Sequence, residues 1–214
     1  PRNRWRSAHE HILFLTKRAG KYTFHADAIR VPYADATKKR WGNGQVYGGP
    51  KSEERPDHNS SRMRHGKTFK LHPKGCLPTD VWALPAGDSS AYHYATFPDR
   101  LVRPIILACS NAGDLVLDPF AGGSVRGIVA GLLGRQYVGI DLRPEQVAAN
   151  EAQAGIVGDK PAPRWVVGDG LDVATLAAGE YDLVFTCPPY ADLEIYSDDP
   201  RDLSNMDYPA FLDA

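Results

Sequence analysis

The sequence predicts a doubly wound α/β fold with a parallel sheet, and two observations lead to this prediction. Short apolar runs alternate with helical patterns from residue 99 onward. Several of these runs end in an acidic residue or a proline-bearing or glycine-bearing turn, as strands do when a ligand-binding loop follows them. Alternation at this spacing implies right-handed crossovers between parallel strands.

Each predicted element follows from its local pattern. Gly134 is expected to end one helix, and Pro144 to begin the next. A further helix is expected to begin at Tyr208. The predicted strands are 115–118, 137–141, 165–167 and 181–186, and the predicted helices between or before them are 99–110, 124–133, 144–154 and 171–178.

The first part of the chain has a different character. The apolar runs 11–17 and 22–25 flank the turn-prone residues 18–21 and predict a hairpin. From Lys38 to Gly75 glycine, charge and histidine dominate, which predicts a long loop. We therefore expect an N-terminal hairpin and basic segment over residues 1–85, followed by an α/β domain over residues 86–214.

Composition limits the class of protein. The chain has 214 residues, of which 43% are hydrophobic, enough for one domain with a core. No apolar run approaches the roughly 20 residues that cross a bilayer. The three cysteines form no Cys-x-x-Cys pair, which argues against a disulfide framework and predicts a reducing, cytoplasmic location.

Charge is unevenly distributed along the chain. Residues 1–80 hold 17 Lys and Arg against 7 Asp and Glu, a net charge of +10, whereas the remainder carries −11. A basic arm on an acidic body is typical of a catalytic domain with a polyanion-binding segment. The alternative is a merely solvated, flexible segment.

Two loops are expected to share one edge of the sheet. Asp118-Pro-Phe-Ala-Gly-Gly-Ser-Val125 follows the first strand, and its glycines allow the backbone to approach a ligand closely. Thr186-Cys-Pro-Pro-Tyr190 closes the fourth strand, and its two prolines make it rigid. Parallel strands end at the same edge, where open α/β sheets bind ligands.

Acidic residues follow three successive strands: Asp118, Asp141 and Asp169. They are expected to lie within reach of one extended ligand. Asp141 lies about 20 residues beyond the glycines, a spacing that also fits a dinucleotide site. Against that alternative, the turn lacks Gly-x-Gly-x-x-Gly, and a carboxylate at Asp118 suits a cationic ligand better than a pyrophosphate.

The loops together resemble those of DNA amino-methyltransferases, which methylate the exocyclic nitrogen of adenine or cytosine with S-adenosylmethionine. Between His93 and Asp141 the chain carries Phe-Pro, a helix, Gly-Asp, Leu-Asp-Pro-Phe-Ala-Gly and Leu-Gly-Arg-x-Tyr-x-Gly-Ile-Asp. The family turn usually reads Gly-Ser-Gly-Thr. The variant Gly-Gly-Ser-Val-Arg-Gly, with Cys-Pro-Pro-Tyr and Asp-Leu-Glu-x-Tyr-Ser-Asp-Asp, resembles phage and prophage modification methylases.

The resemblance implies a Rossmann-like methyltransferase sheet and S-adenosylmethionine as the methyl donor. It implies Phe97 and Pro98 near the methionine end, Asp141 on the ribose hydroxyls and Asp169 near the adenine. The residues implied to wrap the cofactor are Asp118, Pro119, Phe120, Ala121, Gly122 and Gly123.

The catalytic loop is interpreted from the chemistry of an exocyclic amine, whose lone pair is delocalised into the ring. Fixed acceptors for the amino protons favour a pyramidal nitrogen. We assign the Pro188 carbonyl as the main acceptor, the Cys187 side chain as the second, Pro189 as a rigid support, and Tyr190 as a stacking platform for an extruded base. The family usually has Asp or Asn in place of Cys187 for adenine and Ser for cytosine, so the base stays open.

Other functions remain as alternatives. A thiol nucleophile acting on cytosine C5 uses Pro-Cys order rather than Cys-Pro-Pro-Tyr. A catalytically inactive DNA-binding decoy or regulatory subunit would keep the fold, and RNA is a third possible substrate. For zinc, only His72-x-x-x-Cys76 has suitable local spacing, and a site needs four ligands, so no metal is predicted.

Double-stranded DNA is the expected partner of the basic segment. Residues 4–17 resemble the region after the catalytic loop in permuted amino-methyltransferases, which implies target recognition by 35–80. The sequence starts at Pro1 and stops inside a predicted helix, so we expect a fragment of a permuted or divided enzyme. The oligomeric state is left open. The predicted DNA contacts are Lys38, Lys39, Arg40, Arg62, Arg64 and Lys67.

Overall fold

The structure, a computed structural model, describes residues 9–42, 70–84, 97–191 and 195–213. Its centre is a four-stranded sheet in which all described strands run parallel, in the order β3-β2-β1-β4. The predicted α/β fold is therefore confirmed. The strands are Leu115–Asp118 (β1), Gln136–Asp141 (β2), Arg164–Val167 (β3) and Leu183–Val184 (β4).

The helices lie close to their predicted positions, within one to three residues for the longer ones. Short 3-10 turns, such as Ala154–Val157, follow or precede several of them. The α-helices are Asp35–Trp41 (α1), Asp99–Cys109 (α2), Val125–Leu132 (α3), Pro144–Glu151 (α4), Val173–Leu176 (α5) and Tyr208–Asp213 (α6).

Both faces of the sheet carry a hydrophobic core. Side chains alternate along each strand, so Val116 and Tyr137 pack on one face with α2, α3 and α4. Leu117 and Val138 pack on the other face with residues of α5. Burial on both faces explains the nearly continuous apolar runs of these strands. The fold is therefore doubly wound.

The strand order reverses at β1. The chain builds β2 and β3 on one side of β1 and then returns to place β4 on its other side. Backbone bonds from Asp182 N–H to the Leu115 carbonyl and from Phe185 N–H to the Leu117 carbonyl, each 3.0 Å, extend this pairing beyond β4 itself. The loops after β1 and β4 are consequently neighbours at the switch point.

The predicted N-terminal hairpin is wrong. Residues 11–17 and 22–25 form no strand, although a turn closes with Lys21 N–H to the Arg18 carbonyl at 3.2 Å. The Phe14 ring meets Tyr22 and Phe24 edge-on, while Leu15 remains 83% exposed. An isolated pair of strands is marginal without a third strand or a helix to cover its apolar face.

The predicted loop from Lys38 is also wrong at its start, since α1 runs to Trp41. The stretch just before α1 lies against the stretch around Cys76. Val31 and Cys76 form an antiparallel bridge, and Arg30 donates to the Gly75 carbonyl at 2.8 Å. The chain before α1 is also joined to α2, because His25 N–H donates to the Ala108 carbonyl at 2.7 Å.

Within the described ranges, no helix combines the length and apolar character needed to cross a membrane.

Substitution of Gly139 in β2 tests the packing beneath the turn that follows β1. A Cβ there would lie 2.8 Å from that of Ala121 and 3.0 Å from the Trp165 ring. We expect Gly139→Ala to lower the free energy of unfolding by about 1–3 kcal/mol in urea titrations, because overpacking forces its neighbours apart. Gly155→Ala is the control, since a Cβ at Gly155 meets no atom within 4 Å. Equal stability of both variants would contradict this packing.

Candidate active site

A cleft of about 240 Å³ opens at the carboxyl edge of the sheet. This volume lies near the lower end of ligand pockets, which span roughly 300–1,000 Å³. The turn after β1 and the loop after β4 both line it, so the structure brings the two predicted loops together. The predicted residues that line the cleft are Phe97, Pro119, Phe120, Gly122, Asp141, Asp169, Cys187, Pro188, Pro189 and Tyr190.

Three other predicted residues support the cleft without lining it. Pro98 precedes α2, and its carbonyl accepts from Leu101 N–H at 2.9 Å. Ala121 is buried and donates its N–H to the Ile140 carbonyl at 2.8 Å, which ties the turn to β2. Gly123 continues the same turn into α3.

Asp118 lies elsewhere than predicted. Its carboxylate is fully buried and does not face the cleft. It pairs with the Arg126 guanidinium and accepts from the Tyr137 hydroxyl at 2.9 Å. The physical reason is that a buried carboxylate must be matched by a cation and hydrogen bonds, and Arg126 and Tyr137 supply both on the inner side of the turn. Burial raises the pKa of Tyr137 well above its ordinary value, and Asp118 adds to this shift.

Arg126 was missed by the sequence analysis. Its guanidinium lines the cleft and donates to the carbonyls of Phe120 and Ala121 at 2.7 and 2.8 Å. It also lies 4.7 Å from the centre of the Phe97 ring. Burial alone would lower the pKa of Arg126, but the charge of Asp118 leaves it raised. An arginine inside the apolar pattern of α3 was the available signal.

Gly122 is held from both sides by the β2–α4 unit. Its φ of 50° lies in the left-handed region that favours glycine. Its N–H donates to Asp141 Oδ2 at 2.9 Å, and its carbonyl accepts from Asn150 Nδ2 at 2.8 Å. Asn150 is fully buried and is oriented by Gln146, whose Nε2 donates to Asn150 Oδ1 at 2.9 Å. These two polar residues, one turn apart in α4, were also missed.

Asp141 and Asp169 stand at the ends of β2 and β3, as predicted. Asp141 Oδ1 accepts from Arg143 N–H at 3.0 Å, and burial raises the pKa of Asp141 despite this bond. Asp169 Oδ1 accepts from Leu171 N–H at 2.9 Å. Each carboxylate has about four acceptor positions, so both retain capacity for a ligand in the cleft.

The loop after β4 is compact and strained. The Cys187 sulfur lies 3.2 Å from the Tyr190 hydroxyl oxygen, while the Tyr190 side chain is half exposed. Ala191 follows with a φ of 48°, a conformation that costs a non-glycine residue about 1–3 kcal/mol. Such strain is concentrated at functional sites, where the surrounding structure over-determines the backbone.

A further wall of the cleft, residues 195–205, was not predicted as part of the site. Tyr196, Arg201, Asp202 and Leu203 line the cleft from it. Asp202 organises this wall, because its carboxylate accepts from the Ser197 hydroxyl at 2.6 Å and from both the N–H and the hydroxyl of Ser204. The motif Tyr-Ser-Asp-Asp was noted in the sequence, but its position beside the cleft was not.

The predicted DNA-binding residues fall into two groups. Lys38, Lys39 and Arg40 are exposed on α1. Arg62, Arg64 and Lys67 lie outside the described residues. Among the residues with described positions, no group of three or more His, Cys, Asp or Glu could hold a metal ion.

Curated relatives of this chain include Type II methyltransferase M.Cfr9I of Citrobacter freundii, which is 48% identical over 75 residues, 34% of this chain and 25% of the relative. DNA adenine methyltransferase YhdJ of Escherichia coli is 33% identical over 145 residues, 66% of this chain and 42% of the relative. Type II methyltransferase M1.MboII of Moraxella bovis is 32% identical over 149 residues, 64% of this chain and 50% of the relative. The chain thus spans half the length of these relatives or less.

The sequence also matches the DNA methylase family of the N6/N4 type over residues 1–152, well over half of the chain. This match includes the turn after β1 and ends before β3 and the Cys187–Tyr190 loop. It confirms the resemblance noted from the sequence. The chain belongs to the N6/N4 DNA methylase family.

Proposed function

We propose that this protein transfers a methyl group from S-adenosylmethionine to the exocyclic amino group of a base in double-stranded DNA, cytosine N4 or adenine N6. The observation that carries the proposal is one cleft lined by both Gly122 and Pro188. Membership of the DNA methylase family supports it, as do the names of the relatives. The family match ends before Pro188, so the catalytic loop rests on its geometry and motif.

The lining of the cleft supports this choice of donor. Asp141 and Asp169 place two carboxylates at successive strand ends, and Gly122 presents backbone without a Cβ. We assign Asp141 to the ribose hydroxyls, Asp169 to the adenine side, and Phe97 with Phe120 to apolar contact. The donor would supply a methyl group on a cationic sulfur: as the amino nitrogen bonds to the methyl carbon, the sulfur–methyl bond would break to leave a neutral thioether, and the nitrogen would lose one proton to water.

The chain's own part in the reaction is orientation. In the proposed arrangement the Pro188 carbonyl and the Cys187 sulfur accept hydrogen bonds from the amino group, and the half-exposed Tyr190 ring stacks on the extruded base. The strained backbone at Ala191 supports a functional role for this loop, because such strain is concentrated at functional sites. Catalysis of this kind needs no covalent intermediate with the protein.

The basic segment is proposed to bind the DNA. Exposed Lys38, Lys39 and Arg40 on α1 support phosphate contacts, and residues 1–85 would form the recognition segment beside a cofactor-binding domain of residues 86–214. A DNA substrate is consistent with a cytoplasmic location, which we propose as well.

Transfer of labelled methyl from S-adenosylmethionine to duplex DNA tests the proposal. We expect label in DNA, and after digestion a single modified nucleoside whose mass and retention identify N4-methylcytosine or N6-methyladenine. Cofactor binding without transfer to any duplex would instead favour an inactive DNA-binding role. Label confined to RNA would overturn the choice of substrate.

Tyr190 and Cys187 are expected to differ in importance. Tyr190→Ala removes the stacking face and should lower kcat/KM for DNA by about 10- to 100-fold, since base stacking contributes about 1–3 kcal/mol. Cys187→Ser should lower it far less, because the serine oxygen also accepts a hydrogen bond. Single-turnover methylation assays on both variants, with Glu151→Gln as a surface control, make the comparison. An unchanged rate for Tyr190→Ala would rule out its stacking role.

Salt dependence tests the phosphate contacts. Lys39→Gln should reduce the slope of log affinity against log salt by about 0.9, the value for one phosphate contact. Lys160 is exposed before β3, at the opposite edge of the sheet from the cleft, so Lys160→Gln serves as the control. DNA titrations at several salt concentrations would show the difference. Identical slopes for both variants would remove Lys39 from the DNA interface.

Substitution of Asn150 tests whether its hydrogen bond to the Gly122 carbonyl supports the turn after β1. Asn150→Asp keeps the shape but loses the N–H donor to the Gly122 carbonyl, so we expect the Kd for S-adenosylmethionine to rise about tenfold, from about 1–2 kcal/mol of lost hydrogen bonding. Calorimetric titration measures the Kd, and exposed Glu151→Gln on the same helix is the control. If the Kd stayed at the parental value, the turn would not depend on Asn150.

A further inference from the structure

We propose that Asp118, by neutralising the buried Arg126 guanidinium at the cleft, sets the preference of the site for a cationic sulfonium donor over its neutral thioether product. This inference rests on the proposed function, because it concerns the same cofactor. It assigns Asp118 a role at a distance, in place of the direct contact implied by the sequence.

Arg126 is a buried cation that lines the cleft. It is 7% exposed and lines the cleft together with Phe97 and Cys187. The donor sulfur must approach this same region, since the methyl group has to reach a base held by the Cys187–Tyr190 loop. A full positive charge here would oppose a sulfonium.

Pairing with Asp118 removes this electrostatic repulsion of the sulfonium. Asp118 is fully buried against Arg126, so the pair presents almost no net charge to the cleft. Screening by water is weak at such a buried site, and an uncompensated charge would therefore act on a ligand several ångströms away. Phe120 and Ala121 carbonyls accept from the same guanidinium and keep it in place.

Comparing the binding of S-adenosylmethionine and S-adenosylhomocysteine separates the effect of ligand charge from that of ligand shape. They share adenine, ribose and amino-acid groups, and they differ by one methyl group and one positive charge on sulfur. A variant that only damages the fold weakens the binding of both ligands by the same factor. A variant that changes the charge near sulfur changes the ratio of their Kd values.

The two members of the pair should move this ratio in opposite directions. Asp118→Asn leaves Arg126 uncompensated and should raise the ratio of the Kd for S-adenosylmethionine to that for S-adenosylhomocysteine by about tenfold. Arg126→Met leaves the carboxylate without its cation, and the ratio should fall. The double variant Asp118→Asn/Arg126→Met should return towards the parental ratio.

Calorimetric titration of both ligands into each variant provides the test, and circular dichroism first establishes that each variant is folded. Asp114→Asn is the control, because it removes the same charge just before β1, at the opposite end of that strand from the cleft. A folded Asp118→Asn variant with the parental ratio would overturn the inference. If that variant does not fold, Arg126→Met decides, and an unchanged ratio for it would overturn the inference. A parental protein that binds neither ligand would instead overturn the proposed function.

Discussion

The ion pair between Asp118 and Arg126 joins β1, α3 and the turn between them. Asp118 ends β1, and Arg126 reaches back from α3 to bind it and the carbonyls of the intervening turn. The same guanidinium lies 4.7 Å from the centre of the Phe97 ring and 6.0 Å from that of Phe185, which directly follows β4 and leads into the Cys187–Tyr190 loop. Removing either charged partner alone would leave the other buried without compensation, so we expect each single substitution to destabilise the fold.

Gly122 shows how a second strand–helix unit completes the site. Asp141 at the end of β2 and Asn150 in α4 bind the N–H and the carbonyl of this one residue. The turn after β1 is therefore shaped by residues that follow it by 19 and 28 positions. Ligand-binding geometry in this protein is a property of two successive β–α units rather than of the glycine motif alone.

Sequence patterns predicted the sheet because its strands are buried on both faces and their apolar runs leave a strong signal. They predicted the position of Asp141 and Asp169 for the same reason, since a parallel sheet puts successive strand ends on one edge. Asp118 has the same sequence setting, yet its orientation depends on Arg126 and Tyr137, and such contacts are not visible in periodicity. The hairpin at residues 11–25 failed because β-propensity is realised only where a neighbouring surface covers the apolar side chains, and Leu15 is left exposed. Tyr196 and Arg201 could not be placed because they lie in irregular chain without a period.

Several polar side chains between Ile195 and Asn205 form hydrogen bonds within this segment. Ser197, Asp202, Ser204 and Asn205 bind one another or the backbone of the same stretch, as in the bond from Asn205 Nδ2 to the Ser197 carbonyl at 2.9 Å. A displacement of this segment as one unit would break none of these bonds, whereas local unfolding within it would break them all.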